Sequence, residues 1–176
     1  MNVFISGGCK NGKSMFAQQI AKKFGTPLYY IATMIPYDEE DEKRIRRHQK
    51  EREGWGFETI ECPTNILNVL DGRNGTFLLD SVTALLLNEM YENASGEADF
   101  IAVERVAKEL TEFIHKADNV VLVSDYIYSD AEKFLEFTEN YRKALAFIDK
   151  TLAKECDLVV EVCVGNKIYH KGEMWE

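Results

Sequence analysis

Gly7-Gly8-Cys9-Lys10-Asn11-Gly12-Lys13-Ser14 is a G-x-x-x-x-G-K-S run. Residue types in that order suit one task, the holding of a polyphosphate. Glycines let the backbone curl so that successive N–H groups point inward at phosphate oxygens, and a helix starting next adds partial positive charge. The Lys13 ammonium reaches the β- and γ-phosphates, and the Ser14 hydroxyl is placed to ligate Mg²⁺. A short apolar stretch at 3–6 precedes the run and helix-forming residues follow from 13, the context this motif requires. A carboxylate is then expected at the end of a second buried strand, and Thr76-Phe77-Leu78-Leu79-Asp80 supplies one. Asp80 reads either as the holder of the metal's water shell or as the cap of a helix beginning near Val82.

A second constellation lies at 38–53, where 13 of 16 residues are charged, seven acidic and six basic. The ordinary meaning of such a run is a solvated helix laced with i,i+4 pairs. Arg44, His48 and Arg52, however, are spaced i, i+4, i+8 and so share one helical face. Two guanidinium groups would bind a triphosphate lying against them, and a neutral imidazole between them can attack phosphorus and carry the group covalently. Both readings stand on spacing.

These groups need a frame. Apolar runs at 3–6, 28–32, 57–61, 76–80, 119–124 and 157–164 have strand length and are rich in Val, Ile, Leu, Phe and Tyr. Several are nearly continuous rather than alternating, as in strands covered on both faces. Between them, 13–24, 38–53, 82–93, 97–117 and 130–155 carry helical compositions. Within 97–117, Ile101, Val106, Leu110, Phe113 and Ile114 are expected to share a buried stripe. Alternating strands and helices imply parallel crossovers, hence an α/β layered fold with a mostly parallel sheet flanked by helices. The C-terminal end differs, with a two-residue turn expected at Gly165-Asn166 in an antiparallel hairpin. The 176 residues are expected to form a single domain, 1–176.

Composition narrows the partners. A net charge of −9 and a pI of about 5.0 repel nucleic-acid phosphate and anionic lipid, so neither is expected as a bulk partner. No apolar run is long enough to span a membrane, and 1–6 is too short for a secretory core. Cys9, Cys62, Cys156 and Cys163 lack CxxC spacing and read as reduced thiols. The expectation is a cytoplasmic protein. His115 and His170 lack ligand-spaced partners and read as surface or capping residues, while Trp175 reads as a core or subunit contact. Tyr126 and Tyr128 are loop aromatics by default, with the lining of an acceptor pocket as the alternative.

The ordered set of Gly7–Ser14, Tyr30-Ile31-Ala32-Thr33, Arg44-Ile45 with His48, Trp55 before Glu61-Cys62-Pro63, and Asp80-Ser81-Val82-Thr83 resembles the adenosylcobinamide kinase / adenosylcobinamide-phosphate guanylyltransferase family of cobalamin synthesis. The resemblance runs to the hairpin at Val162 to Lys167. It implies a P-loop NTPase-type α/β domain assembled as a homotrimer. The implied enzyme phosphorylates a corrinoid, adenosylcobinamide, with ATP or GTP, and then moves GMP from GTP onto that phosphate. By similarity His48 is the nucleophile that carries GMP, and Lys13 serves the phosphates. Gly7, Gly8, Cys9, Lys10, Asn11, Gly12, Lys13 and Ser14 would cradle the triphosphate. Ala32, Thr33, Met34, Gln49, Lys50, Glu51 and Arg52 would lie around the nucleotide, with Glu61 and Asp80 completing the site. Mg²⁺ would be held at Ser14 and Asp80.

The chain also departs from the family pattern. Asp125-Tyr126-Ile127-Tyr128 stands where Asn-Glu-Val-Gly is usual, and Ile148-Asp149 where an Asn-Gln pair is usual. Two other functions therefore remain in view. One is a small-molecule P-loop kinase with a different acceptor and no nucleotidyl step; the other is a nucleotide-binding regulatory subunit.

Overall fold

In a computed structural model of the protein, residues 1–91 and 99–173 are described. The strands are β1 (Asn2–Gly7), β2 (Leu28–Ala32), β3 (Phe57–Glu61), β4 (Thr76–Asp80), β5 (Asn119–Asp125), β6 (Leu158–Cys163) and β7 (Asn166–Lys171). They form one sheet in the order β3-β2-β4-β5-β1-β6-β7. Neighbours are parallel throughout except β6 and β7, which are antiparallel. The helices are α1 (Lys13–Phe24), α2 (Glu39–Glu51), α3 (Val82–Met90), α4 (Phe100–Lys116) and α5 (Glu136–Glu155), with a 3₁₀ turn at Ile66–Leu70.

The α/β architecture expected from the alternation is the one found. Central strands are covered on both faces: Phe77, Leu79, Val120 and Leu122 meet α3, α4 and α5 on one side. Ile5, Leu78, Val121 and Val123 meet Phe16, Ala17 and Ile20 of α1 on the other. Parallel order matters for the site because it sends the C-terminal ends of β1, β2, β4 and β5 to one edge, where loops open toward helices.

Several sequence expectations need correction. The hairpin turn is Val164-Gly165, since Cys163 pairs with Asn166 in the ladder. Both turn residues have positive φ, 49° and 78°, as a tight primed turn demands. Ile101 is 77% exposed. It lies about 140° around the helix from Val106, so the buried stripe runs through Ala102, Val103, Val106, Ala107, Leu110, Phe113 and Ile114 instead. Helix α5 begins at Glu136 rather than 130. Arg142 explains the delay, because its guanidinium takes the carbonyls of Asp130 and Glu132, which a helical turn would need. The ends of the helical stretches expected at Asn93 and Glu97, and Trp175, lie outside the described residues.

One departure from the family pattern is buried. Asp149 of α5 accepts hydrogen bonds at Oδ2 from Ser124 (3.0 Å) and Tyr128 (2.8 Å), while its Oδ1 has no partner. Burial raises its pKa from 3.8 to about 7, and nearby Asp125 adds to the rise, against the two hydrogen bonds. The folded protein therefore keeps this proton up to about pH 7 and the unfolded chain loses it near 4. Stability from this group accordingly falls as pH rises across that window and is level above it. Asp149→Asn, which retains an acceptor but no charge, is expected to lose less melting temperature than the wild type between pH 5 and pH 8. Parallel melting curves over that interval would contradict this.

Candidate active site

The phosphate loop folds as its glycines predict. A methyl group on Gly7 would collide with the Val162 carbonyl of the neighbouring strand β6, so the close approach of β1 and β6 requires glycine. Gly12 sits in the left-handed region at φ 89° and begins α1. No side chain caps that helix start and no acidic residue occupies its first turn, so the N–H groups stay free for an anion. The hairpin steadies the loop, with Val164 N–H donating to Asn11 Oδ1 at 3.3 Å.

Lys13 is not exposed, contrary to what a lysine in a ligand-binding loop suggests. It is 5% exposed, and its Nζ donates to Asp125 Oδ1 at 2.5 Å and to the Gly8 carbonyl at 2.7 Å. Desolvation explains the arrangement, since a buried ammonium must be paired. Asp125 ends β5, directly beside Gly7 in the ladder, and its N–H is held by Thr83 Oγ1 at 2.9 Å. Sequence reasoning did not single out Asp125 as a site residue. Its signal was present, because Val-Val-Leu-Val-Ser-Asp repeats the pattern that drew attention to Asp80, a buried strand ending in a carboxylate.

Asp80 ends β4, with β5 between it and the loop strand. Its Oδ2 accepts from Tyr30 OH at 2.9 Å. The cap of α3 is Ser81, whose hydroxyl accepts from Ala84 N–H at 3.2 Å, so Asp80 is not spent as a helix cap. Thr33 ties this corner together, its hydroxyl donating to the Ser81 carbonyl and accepting from Ser81 N–H, both at 2.8 Å.

A cleft of about 760 Å³ opens along this sheet edge under α2. Among the expected residues, Ala32, Met34, His48, Gln49, Arg52, Glu61 and Asp80 line it, and so does Arg44. Asp125 also lines it, which places the cleft next to the ion pair of Lys13. The residues Gly7 to Ser14 do not line the cleft, nor do Thr33, Lys50 and Glu51; Lys50 faces a separate shallow pocket with Gly54 and Phe57. Tyr126 and Tyr128 are not in its wall either. The stretch Ile35-Pro36-Tyr37, with Leu87, gives the cleft an apolar side that the sequence reading had not assigned.

Helix α2 starts cleanly, with Asp38 accepting from the N–H groups of Glu40 and Asp41. Its acidic first turn suits the positive helix end. His48 is 22% exposed, and its Nδ1 is buried without a hydrogen-bond partner, with Glu51 Oε2 at 3.8 Å. Buried polar atoms are nearly always paired, so this orphaned nitrogen marks the ring at the cleft wall as a candidate group of the site. Mg²⁺ suits the hydroxyl and carboxylate oxygens of Ser14 and Asp80. Among the described residues no group of three or more His, Cys, Asp or Glu is arranged for a metal. An ion held by this pair would complete its shell from phosphate and water. No helix among the described residues is long and apolar enough to cross a membrane. His115 and His170 pair with Glu155 (3.0 Å) and Glu161 (2.9 Å), away from the cleft.

Comparison with known proteins agrees on one family. The family described as cobinamide kinase / cobinamide phosphate guanyltransferase matches residues 3–169. A bifunctional adenosylcobalamin biosynthesis protein, CobP, of Pseudomonas aeruginosa is 27% identical over 98% of this chain and 99% of its own length. A bifunctional adenosylcobalamin biosynthesis protein, CobU, of Salmonella typhimurium is 24% identical over 94% of this chain and 97% of its own. Among solved structures, the P4 protein from bacteriophage phi6 in complex with ADP has a TM-score of 0.50 at 15% identity, covering 94% of this chain and 52% of that one. That last likeness concerns the fold alone.

Proposed function

Because the chain belongs to the cobinamide kinase / cobinamide phosphate guanyltransferase family, we propose that it phosphorylates adenosylcobinamide and then converts the product with GTP, through a guanylylated His48. The observation that carries the reading is the cleft that brings His48 and Asp80 together beside Asp125, the partner of Lys13.

In the first step an acceptor hydroxyl attacks the γ-phosphorus of ATP or GTP. The new O–P bond forms as the bond to the β-phosphate oxygen breaks, the hydroxyl proton passes to solvent, and the nucleoside diphosphate leaves. Lys13 and the N–H groups at the start of α1 meet the charge on the phosphates. Mg²⁺ at Ser14 and Asp80 would neutralise phosphate charge. In the second step a ring nitrogen of His48 attacks the α-phosphorus of GTP, and pyrophosphate leaves with the bonding electron pair. The phosphate of adenosylcobinamide phosphate then attacks the same phosphorus and frees the imidazole. Arg44, on the face of His48, is placed to hold phosphate oxygens in the cleft. The homotrimer and the cytoplasmic setting belong to the same proposal.

Incubation with adenosylcobinamide, Mg²⁺ and GTP tests it. Mass spectrometry is expected to find first the phosphorylated and then the GDP-bearing corrinoid, with pyrophosphate released. Phosphorylated product without the second species would leave a kinase only, and neither product would leave a nucleotide-binding subunit.

A further inference from the structure

Helix α2 carries His48, yet none of its 13 residues is buried. The residue at its end is buried instead: Arg52, the C-terminal cap, is 7% exposed. The Arg52 guanidinium carbon lies 3.5 Å from the centre of the Tyr30 ring, and Nη2 donates to Thr59 Oγ1 at 3.4 Å. Tyr30 is a buried residue of β2, braced edge-on by Phe57, and its hydroxyl donates to Asp80. One side chain thus touches the helix of His48 through its ring and Asp80 through its hydroxyl.

We propose that Arg52 and Tyr30 are positioning residues, a stacked pair that sets where α2 presents His48 over a cleft whose wall contains Asp80. The functional half of this rests on the histidine reading above; the seating of α2 does not. A desolvated guanidinium on an aromatic face favours the seated helix by roughly tenfold or more. A lysine at 52 retains charge but not the planar stack, so it replaces arginine only partly. Arg52 then serves the reaction through the place of His48 rather than by holding nucleotide phosphate.

Hydrogen–deuterium exchange on the full-length protein, read by mass spectrometry, tests the seating without activity. Arg52→Ala is expected to speed exchange across 39–51 by roughly tenfold, Arg52→Lys by less, and Tyr30→Phe, which keeps the ring, hardly at all. In parallel, the rate of protein labelling by α-³²P-GTP is expected to fall about tenfold in Arg52→Ala, with the GTP concentration for half-maximal rate little moved. Wild-type exchange in Arg52→Ala, with a raised GTP requirement, would mean that Arg52 binds phosphate directly and would overturn the proposal. Faster exchange with undiminished labelling would overturn the positioning role. Tyr30→Leu is a second route to the same loosening, and if it fails to fold Arg52→Ala decides alone. Should the wild type take no label at all, the histidine reading fails, while the exchange arm still decides the seating.

Discussion

Lys13→Ala is expected to abolish both nucleotide-dependent steps and, in addition, to weaken the fold. Loss of activity follows from the role of the ammonium against developing phosphate charge, where a single donor is worth roughly 10²–10³-fold in rate. The second effect comes from the ion pair. With Lys13 gone, the largely buried Asp125 carboxylate, 21% exposed, loses its countercharge, while the Asp125 backbone N–H still donates to Thr83 Oγ1. Leaving such a group unpaired costs about 1–3 kcal/mol. The double variant Lys13→Ala/Asp125→Ala removes both charges and should recover much of the melting temperature but none of the turnover. Thermal unfolding and steady-state rates of all three proteins check this. Normal turnover in Lys13→Ala would remove the phosphate loop from the mechanism. Recovery of turnover in the double variant would instead make the ion pair an inhibitory contact.

His48→Ala is the second large effect. Wild-type protein is expected to take up label from α-³²P-GTP and none from γ-³²P-GTP, because pyrophosphate leaves when the imidazole attacks the α-phosphorus. A phosphoramidate bond should be lost in acid and survive alkali, which separates it from a phosphoserine. In His48→Ala the α-label should fall by roughly 10³-fold or more, the scale on which loss of a covalent nucleophile acts. The phosphorylation step should lose far less, since Lys13 and the loop amides carry it. GMP transfer to cobinamide phosphate at a near-normal rate in His48→Ala would end the covalent mechanism, whatever the family. The orphaned Nδ1, with Glu51 Oε2 at 3.8 Å, invites a finer measurement. If Glu51 holds Nδ1–H when GTP binds, Nε2 is the attacking nitrogen, and phosphorus-coupled NMR of the labelled histidine would report it.

Much of this was legible in residue order. The G-x-x-x-x-G-K-S run, the apolar strands and their helices are local patterns, set by backbone freedom, side-chain shape and the period of burial, so they survive without knowledge of neighbours. The bounds 13–24, 28–32, 57–61 and 76–80 read from the sequence agree with α1, β2, β3 and β4. Arg44, His48 and Arg52, spaced i, i+4, i+8, all line the cleft.

What tertiary structure alone decided was where charge is paired. Lys13 and Asp125 are 112 residues apart, and nothing in either segment says that an ammonium in a phosphate loop is buried against a carboxylate at the end of β5. Arg52 reads in sequence as one more cation near a nucleotide, yet its guanidinium lies on Tyr30, whose hydroxyl is in turn engaged by Asp80. The turn at Val164-Gly165 and the late start of α5 were set by a ladder register and by Arg142, both contacts across the fold. For the three charged cases the physical reason is the same. Propensity and periodicity are properties of consecutive residues, whereas the cost of desolvating a charge is met by whichever partner the parallel sheet brings to the same edge.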